Sequence, residues 1–291
     1  MNILTFDLEE WFIEKISGGR HFRYKQYDDL LDRLLDELEV FNIQATFFCV
    51  GRMAVDFPNV IKKIANKGHE VGCHSYVHTW INKMTENTLR KDTTEALKVL
   101  EDISGEKVVS YRAPAFSVTE QNKWAVGVLS DCGIENDASI FPASRDFGGY
   151  PLFPQDTPCL ISYQGSSLKE YPISMTTILG KKMAYSGGGY FRILPYWFVS
   201  KTLRKKEYNI CYFHLADLIH EEQKFLSKIE YESYFKESGT FMNRLIRYAK
   251  SNVGKGDAYV KLIRLMEEIA FMSIQQANNV IEWKNIKKIV L

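Results

Sequence analysis

Cysteine is scarce and unpatterned in this chain: five residues, Cys49, Cys73, Cys132, Cys159 and Cys211, an odd number without a CxxC spacing. Neither a disulfide framework nor a thiolate zinc site fits that distribution, so buried reduced thiols are expected. An excess of charge of one sign is also missing. The 291 residues carry 37 basic against 36 acidic side chains, which argues against a nucleic-acid partner that would need a net positive surface. No uncharged apolar run is long enough to span a bilayer. Met1 is followed by Asn2, Ile3, Leu4, Thr5, Phe6 and Asp7 rather than by the basic start and long apolar stretch of a secretory signal. The expectation is a soluble, cytoplasmic protein without a transmembrane segment. What remains is an ordinary globular composition, 45% apolar and 25% charged, enough for one barrel-sized domain or two smaller ones.

Hydrophobic periodicity divides the first half into a regular alternation. Ile3 to Phe6 is a short apolar run that stops at Asp7, as a buried strand would. Leu30, Leu31, Leu34, Leu35, Leu38 and Phe41 then recur at helical spacing. Ala45 to Val50, Glu70 to Cys73, Val108 to Tyr111 and Ile134 to Asn136 read as further strands. Between them lie helices starting at Pro58, capped by Thr85 and ended by Gly105, and covering Gln121 to Asp131. Strands alternating with helices through short connections imply parallel strands with right-handed crossovers. From Phe141 to Gly189 the pattern loosens into long loops with one strand near Leu168 to Pro172. Order returns with a helix at Pro195 to Leu203 and a strand at Tyr208 to Phe213. Beyond Asp217 the chain is richer in charge and reads as helical, with candidates at Phe241 to Ser251 and Asp257 to Ile269. Without a linker or repeat, the expected organisation is a single domain over 1–291: a barrel core at 1–220 and a helical extension at 221–291 packed on it.

Polar residues sit at the ends of the expected strands: Asp7, His74, Arg112, Asp137 and His214. In parallel α/β sheets and barrels these ends form the site, so five reactive side chains distant in sequence would meet at one mouth. A purely structural role for each would not place them all there. His74 and His78 are spaced to lie one helical turn apart, and two histidines with one carboxylate leave a coordination position open, as hydrolytic zinc sites require. In isolation the pair would be unremarkable core or surface histidines; its position after a strand favours ligands. Asp7, Glu9 and Glu10 offer the carboxylate. His69 is expected to brace the strand turn, and the Lys201 to Lys206 cluster reads as a solvated face, with peripheral contact to an anionic lipid-linked sugar as the alternative.

The segments Thr5-Phe6-Asp7, Ala45-Thr46-Phe47-Phe48, Gly68 to His78 and Tyr111-Arg112-Ala113-Pro114-Ala115-Phe116 resemble, in order and spacing, the successive motifs of the polysaccharide deacetylase family, also called NodB-homology or carbohydrate esterase 4. Asp7 to Phe12, Asn136 to Pro142, Ser186 to Arg192 and Tyr212 to Leu215 are similar to a bacterial branch associated with exopolysaccharide and capsule loci. The resemblance implies an α/β fold of the distorted (β/α)7-barrel type and metal-dependent removal of N-acetyl or O-acetyl groups from sugars. It also implies Asp7 as general base, Arg112 as the residue holding that base, His74 and His78 as metal ligands, and His214 as general acid. A backbone N–H near Phe116 would be an oxyanion donor. Leu8 stands where the family usually has a second, metal-binding aspartate. Some branches place the ligand two residues after the base, which points to Glu9, with Glu10 as the alternative. Asp137 is expected either to support His214 or to bond a sugar hydroxyl, and Tyr190 and Arg192, beside Gly187 to Gly189, to shape the substrate cleft. One divalent metal is implied, zinc first, with cobalt, nickel or manganese as substitutes. The partner would be an acetylated amino-sugar or glycan precursor. Two further readings stay open: a catalytically reduced barrel that only binds glycan, and a related amidohydrolase acting on a non-sugar amide.

Overall fold

Short apolar runs and amphipathic segments alternate along the chain, and the computed structural model, which describes residues 1–145, 148–178, 180–219, 224–235, 238–254 and 256–291, turns them into a mostly parallel sheet wrapped by helices. Its strands are β1 (Asn2–Leu8), β2 (Thr46–Cys49), β3 (Glu70–Cys73), β4 (Ser110–Tyr111), β5 (Asn136–Asp137), β6 (Cys159–Tyr163), β7 (Ser166–Glu170), β8 (Met175–Ile178), β9 (Lys181–Ala184), β10 (Asn209–His214) and β11 (Lys288–Val290). Seven of them follow one another in parallel, in the order β10, β1, β2, β3, β4, β5, β7. This is the expected α/β architecture with a distorted seven-stranded barrel.

The two ends of that series meet without a regular ladder. The segment after β7 approaches β10 through side chains instead: the Tyr208 hydroxyl donates to the Pro172 carbonyl at 2.8 Å, and the Ile210 N–H to Ser174 Oγ at 3.1 Å. The Tyr212 N–H donates to the Ser186 carbonyl at 3.3 Å.

Strand alternation assigns the two faces of β1 to different tasks. Leu4, Phe6 and Leu8 join the large core between strands and helices, together with Leu30, Leu31, Leu34 and Leu35 from the helix His21–Val40. Ile3, Thr5 and Asp7 take the other face. Ile3 packs with Phe48, Phe116, Tyr171, Ile210 and Tyr212 in a second core inside the barrel, and Thr5 and Asp7 both bond Arg112. The helices have local causes as well. Pro58 opens Pro58–Asn66, where its missing N–H costs nothing, and Thr85 caps Glu86–Ser104, which Gly105 ends in the left-handed conformation at φ 76°.

Several segments depart from the sequence reading. The stretch Phe141 to Gly189 is less loop-like than expected, because β6 and β7 form an antiparallel hairpin turned at Gln164 and Gly165 and β8 pairs with β9. Gln164 (φ 48°) and Gly165 (φ 92°) are both left-handed, the requirement of a tight two-residue hairpin turn. The expected helix Gln121 to Asp131 is shorter, Ala125–Asp131, preceded by a single 3-10 turn at Glu120–Asn122.

The segment 221–291 is not helical throughout. β11 adds to β6 at the sheet edge, and Met272 bonds β1, accepting from the Leu4 N–H and donating to the Asn2 carbonyl, both at 3.0 Å. The helix Ile274–Val280 then seats its first turn on β2 and β3. The Ile274 N–H donates to Thr46 Oγ1 and the Gln275 N–H to the buried Glu70 carboxylate, each at 2.8 Å. A carboxylate at a helix N-terminus meets unpaired N–H groups and the positive end of the dipole.

His69 lies just before β3, where its Nδ1 accepts the Ala45 N–H at 3.3 Å and burial holds its imidazole down at about 4. The unfolded chain takes up that proton near pH 6.5 and the folded chain only near 4, so stability is lost as pH falls through this window. His69→Gln should make the fall in unfolding free energy between pH 7 and 4.5 shallower by about 2 kcal/mol. Urea unfolding at a series of pH values checks this; an unchanged slope removes His69 as the cause.

Candidate metal centre and active site

The parallel register sets the strand ends level. Asp7 pairs with His214 across β1 and β10, Cys73 with Tyr111 across β3 and β4, and Tyr111 with Asp137 across β4 and β5. One residue further along, His74 and Arg112 emerge at the same end. The mouth inferred from sequence is therefore a single place in the fold.

Glu9, His74 and His78 each bring one ligand atom to within 4.8 Å of the others. The histidines do not meet across a helical turn, as their spacing suggested. The segment from His74 to His78 is irregular, and Ser75 (φ 68°) and His78 (φ 57°) are both left-handed. Such backbone is costly for non-glycine residues and persists only where surroundings enforce it. Here the Tyr76 N–H donates to Asp92 at 2.8 Å, while the Gly51 and Arg52 N–H groups bond the Ser75 and Tyr76 carbonyls at 3.0 and 2.7 Å. The start of the helix Gly51–Asp56 thus grips the loop.

The donor set fits a divalent ion. His74 Nδ1 lies 2.7 Å from the Arg112 carbonyl, which only accepts, so Nδ1 carries the hydrogen and Nε2 keeps its lone pair toward Glu9 at 3.9 Å. Burial holds His74 down at about 4, in the neutral form that ligates. The Glu9 carboxyl is kept well below its usual range: burial opposes this, but His78, in direct contact, and His214 outweigh it. Two imidazoles and one carboxylate suit a metal of borderline softness, with room for further ligands.

Strand geometry also separates the side chains at positions 8 to 10. Leu8 faces the helix layer and is wholly buried, so a ligand there would point away from the mouth. Glu9 turns back toward the histidines. Glu10 is buried and spends its carboxylate on the Ala216 N–H at 2.9 Å and the Glu9 N–H at 3.2 Å. Burial raises its carboxyl to about 7, so Glu10 ties β1 to the segment after β10 and is not among the converging ligand atoms.

Beside the ligands, Asp7 pairs with Arg112 Nη1 at 2.7 Å; both are buried. The same Nη1 donates to Thr5 Oγ1 at 2.8 Å and Nε to the Ala138 carbonyl at 3.1 Å, with the guanidinium 4.3 Å above the Phe48 ring. His214, about one-third exposed, sets Nε2 at 3.6 Å from Glu9 and Nδ1 at 3.3 Å from Asp217. Burial works against its charged form, but Glu9 and then Asp217 raise the imidazole to about 10. Asp217 was not anticipated, although an acid three residues after His214 at a helix start is a capping pattern that could have exposed it.

Other expected site residues take different places. Among the described residues Asp137 makes no contact with His214: it is buried, accepts the Ser139 hydroxyl and contacts Glu170. Burial raises both carboxyls, Glu170 more strongly, so Glu170 holds the shared proton. Ser139 Oγ in turn accepts the Ala113 N–H at 2.8 Å, so Asp137 steadies the turn that follows Arg112. The Phe116 N–H donates to the Ala113 carbonyl at 3.0 Å, which removes it as an oxyanion donor; its ring walls the barrel interior. Arg192 sets Nε 3.5 Å from Asp217 with its side chain largely buried, behind His214 rather than in an open cleft. Tyr190, half-buried in the helix Gly188–Ile193, packs against the inner core.

The family model described as polysaccharide deacetylase matches residues 4–136, and one described as a domain of unknown function (DUF3473) matches residues 138–279. A peptidoglycan-N-acetylglucosamine deacetylase of Bacillus cereus is 37% identical over 94 residues, 32% of this chain and 34% of that protein. The chain thus spans about a third of the length of this curated relative. A solved structure from Mycobacterium smegmatis, assigned as a polysaccharide deacetylase, superposes with a TM-score of 0.64 at 19% identity, covering 100% of this chain and 92% of that one. A carbohydrate esterase family 4 pseudoenzyme from Bacillus anthracis superposes at 0.50 and 14% identity, covering 99% and 66%. These likenesses bear on the fold.

Glu9→Gln should weaken zinc binding on the order of 100-fold, and Glu10→Gln far less, in calorimetric titration of the metal-stripped protein. The reverse order would move the ligand to Glu10.

Proposed function

Since the chain belongs, through residues 4–136, to the polysaccharide deacetylase family, we propose that it is a metal-dependent hydrolase that removes acetyl groups, N-acetyl first, from a sugar in a glycan or glycan precursor of cell-surface polysaccharide. The observation that carries this reading is the convergence at one barrel mouth of a three-residue ligand set, a buried carboxylate paired with an arginine, and a partly exposed imidazole.

Amide hydrolysis needs an activated water, stabilisation of charge on the acetyl oxygen and a proton for the leaving amine. A divalent ion held by Glu9, His74 and His78, zinc by preference, would supply Lewis-acid polarisation of the acetyl carbonyl and a more acidic water. Asp7 is the base that takes the water proton. Its Oδ1 is fixed by Arg112, whose guanidinium is itself locked by Thr5, the Ala138 carbonyl and the Phe48 ring, so the carboxylate keeps one orientation. His214 is the acid. Asp217 occupies Nδ1, leaving Nε2–H on the mouth side to protonate the departing amine, and Arg192 holds Asp217 in place from behind. As the amine leaves, acetate and the free amino-sugar are the products.

Asp7→Asn and His214→Ala should keep the circular dichroism spectrum and bound zinc of the wild type. Each should lower acetate release from chitotetraose by on the order of 10²–10⁴-fold. Full activity in Asp7→Asn would refute its role as base. Zinc and glycan binding by the wild type with no acetate release would instead make the chain a binding module.

A further inference from the structure

The loop that follows β5 carries a cation to the wall of the mouth. Arg145 is exposed, yet its guanidinium lies 4.5 Å above the Phe141 ring and 5.0 Å above that of Phe116, and its Nη1 donates to the Tyr212 hydroxyl at 3.4 Å. Phe116 is shared: the catalytic-site Arg112 sits 5.6 Å from the same ring. Tyr212 precedes His214 by two positions on β10, so the two side chains leave the strand on one face. Arg145 therefore spans from the loop after β5 to Tyr212 on β10, sharing the Phe116 ring with Arg112.

Its position is built. The Ala143 and Tyr150 N–H groups both donate to the Phe141 carbonyl at 2.8 Å, and the Gly149 N–H to the Phe116 carbonyl at 2.9 Å. A Cβ on Gly148 would stand 2.5 Å from the Ala115 and Phe116 carbonyl oxygens, and one on Gly149, at φ +90°, 2.3 Å from that of Ala143. Only glycines let the loop lie this close to the turn after Arg112. The acids of the mouth are engaged elsewhere: Asp7 with Arg112, Glu9 with His78, and Asp217 with His214 and Arg192. Among the described residues none forms an ion pair with Arg145. A guanidinium stacked on aromatic rings still presents N–H donors along its edge, in a fork that matches carboxylate and phosphate oxygens.

We propose that Arg145 forms an anion subsite, so that the substrate carries a carboxylate or phosphate on or next to the acetamido sugar. This deepens the deacetylase reading and rests on it for the word substrate. Its chemistry rests on the loop alone. The subsite supplies discrimination, because a neutral oligosaccharide leaves the cationic edge to solvent while an anionic one pairs with it.

The zinc-loaded full chain would be titrated calorimetrically with three probes: neutral chitotetraose, a hyaluronan tetrasaccharide with glucuronate beside N-acetylglucosamine, and UDP-N-acetylglucosamine. At least one anionic probe should bind on the order of tenfold more tightly than chitotetraose, with the preference shrinking as salt rises. Which anionic probe gains identifies carboxylate or phosphate as the group read. Arg145→Gln should abolish the preference, and Arg145→Lys should retain part of it, keeping the charge without the fork. Equal binding of all three probes by the wild type, or a preference that survives in Arg145→Gln, overturns the proposal. Acetate release by the wild type from any of the three probes reports the deacetylase reading separately, since turnover of one probe does not require a preference among them.

Discussion

The buried ion pair between Asp7 and Arg112 is the contact on which the site depends. Two charges withdrawn from water are tolerable only when they are paired, and removing either partner leaves the other stranded at a cost of several kcal/mol. Here a carboxylate, a hydroxyl, a carbonyl and an aromatic face converge on one guanidinium through Nη1, Nε and its face, while the buried Nη2 has no hydrogen-bond partner among the described residues. The backbone carbonyl of the same residue accepts the His74 imidazole hydrogen. Arg112 therefore sets the direction of the Asp7 carboxylate with its side chain and the tautomer of His74 with its main chain, linking β1, β3 and β4 through a single residue.

The second half of the chain finishes what the first half begins. His214 supplies the partly exposed side of the mouth with Asp217 and Arg192 backing it, and Glu170 completes the carboxyl pair that steadies the turn after Arg112. At the opposite end of the barrel, Thr46 and Glu70 receive the first amides of the helix Ile274–Val280. The two matched regions, 4–136 and 138–279, share one sheet and one mouth; neither contains a full set of reactive groups. Among the described residues no helix is long and apolar enough to cross a membrane.

Much of this was legible in sequence because strand ends are chemically marked. Apolar runs stopping at Asp7, His74, Arg112 and His214 located the mouth, and β-strand alternation alone would have turned Leu8 away from it. The conformation of the histidine segment was not legible, since a four-residue spacing reads as a helical turn and nothing local announces left-handed Ser75 and His78; the grip of Gly51 and Arg52 comes from another element. Asp137 misled for a related reason. A strand-end acid looks reactive until a second acid, Glu170, on a distant hairpin is brought against it. The strands β6, β8, β9 and β11 escaped because they lie in stretches mixed with polar, Pro and Gly residues without the apolar runs that mark the barrel strands, and only the Gln164-Gly165 turn carried a local signal. Arg145 went unnoticed between a proline and two glycines, a setting that reads as plain loop.

The placement of β1 has a consequence for biosynthesis. Its two ladder neighbours are β2 and β10, and Met272 bonds it at its start, so β1 borders residues that are synthesised long after it. Synthesis at roughly 5–20 residues per second leaves Asn2 waiting on the order of 10 to 40 seconds for Asn209. Through that interval the nascent chain holds an unpaired, apolar strand edge, the kind of surface that chaperones recognise and that self-associates when left uncovered. High contact order of this sort slows folding, and it also means that Asp7 and His214 become neighbours only after β10 has been made, so any chemistry that needs both groups waits for that strand.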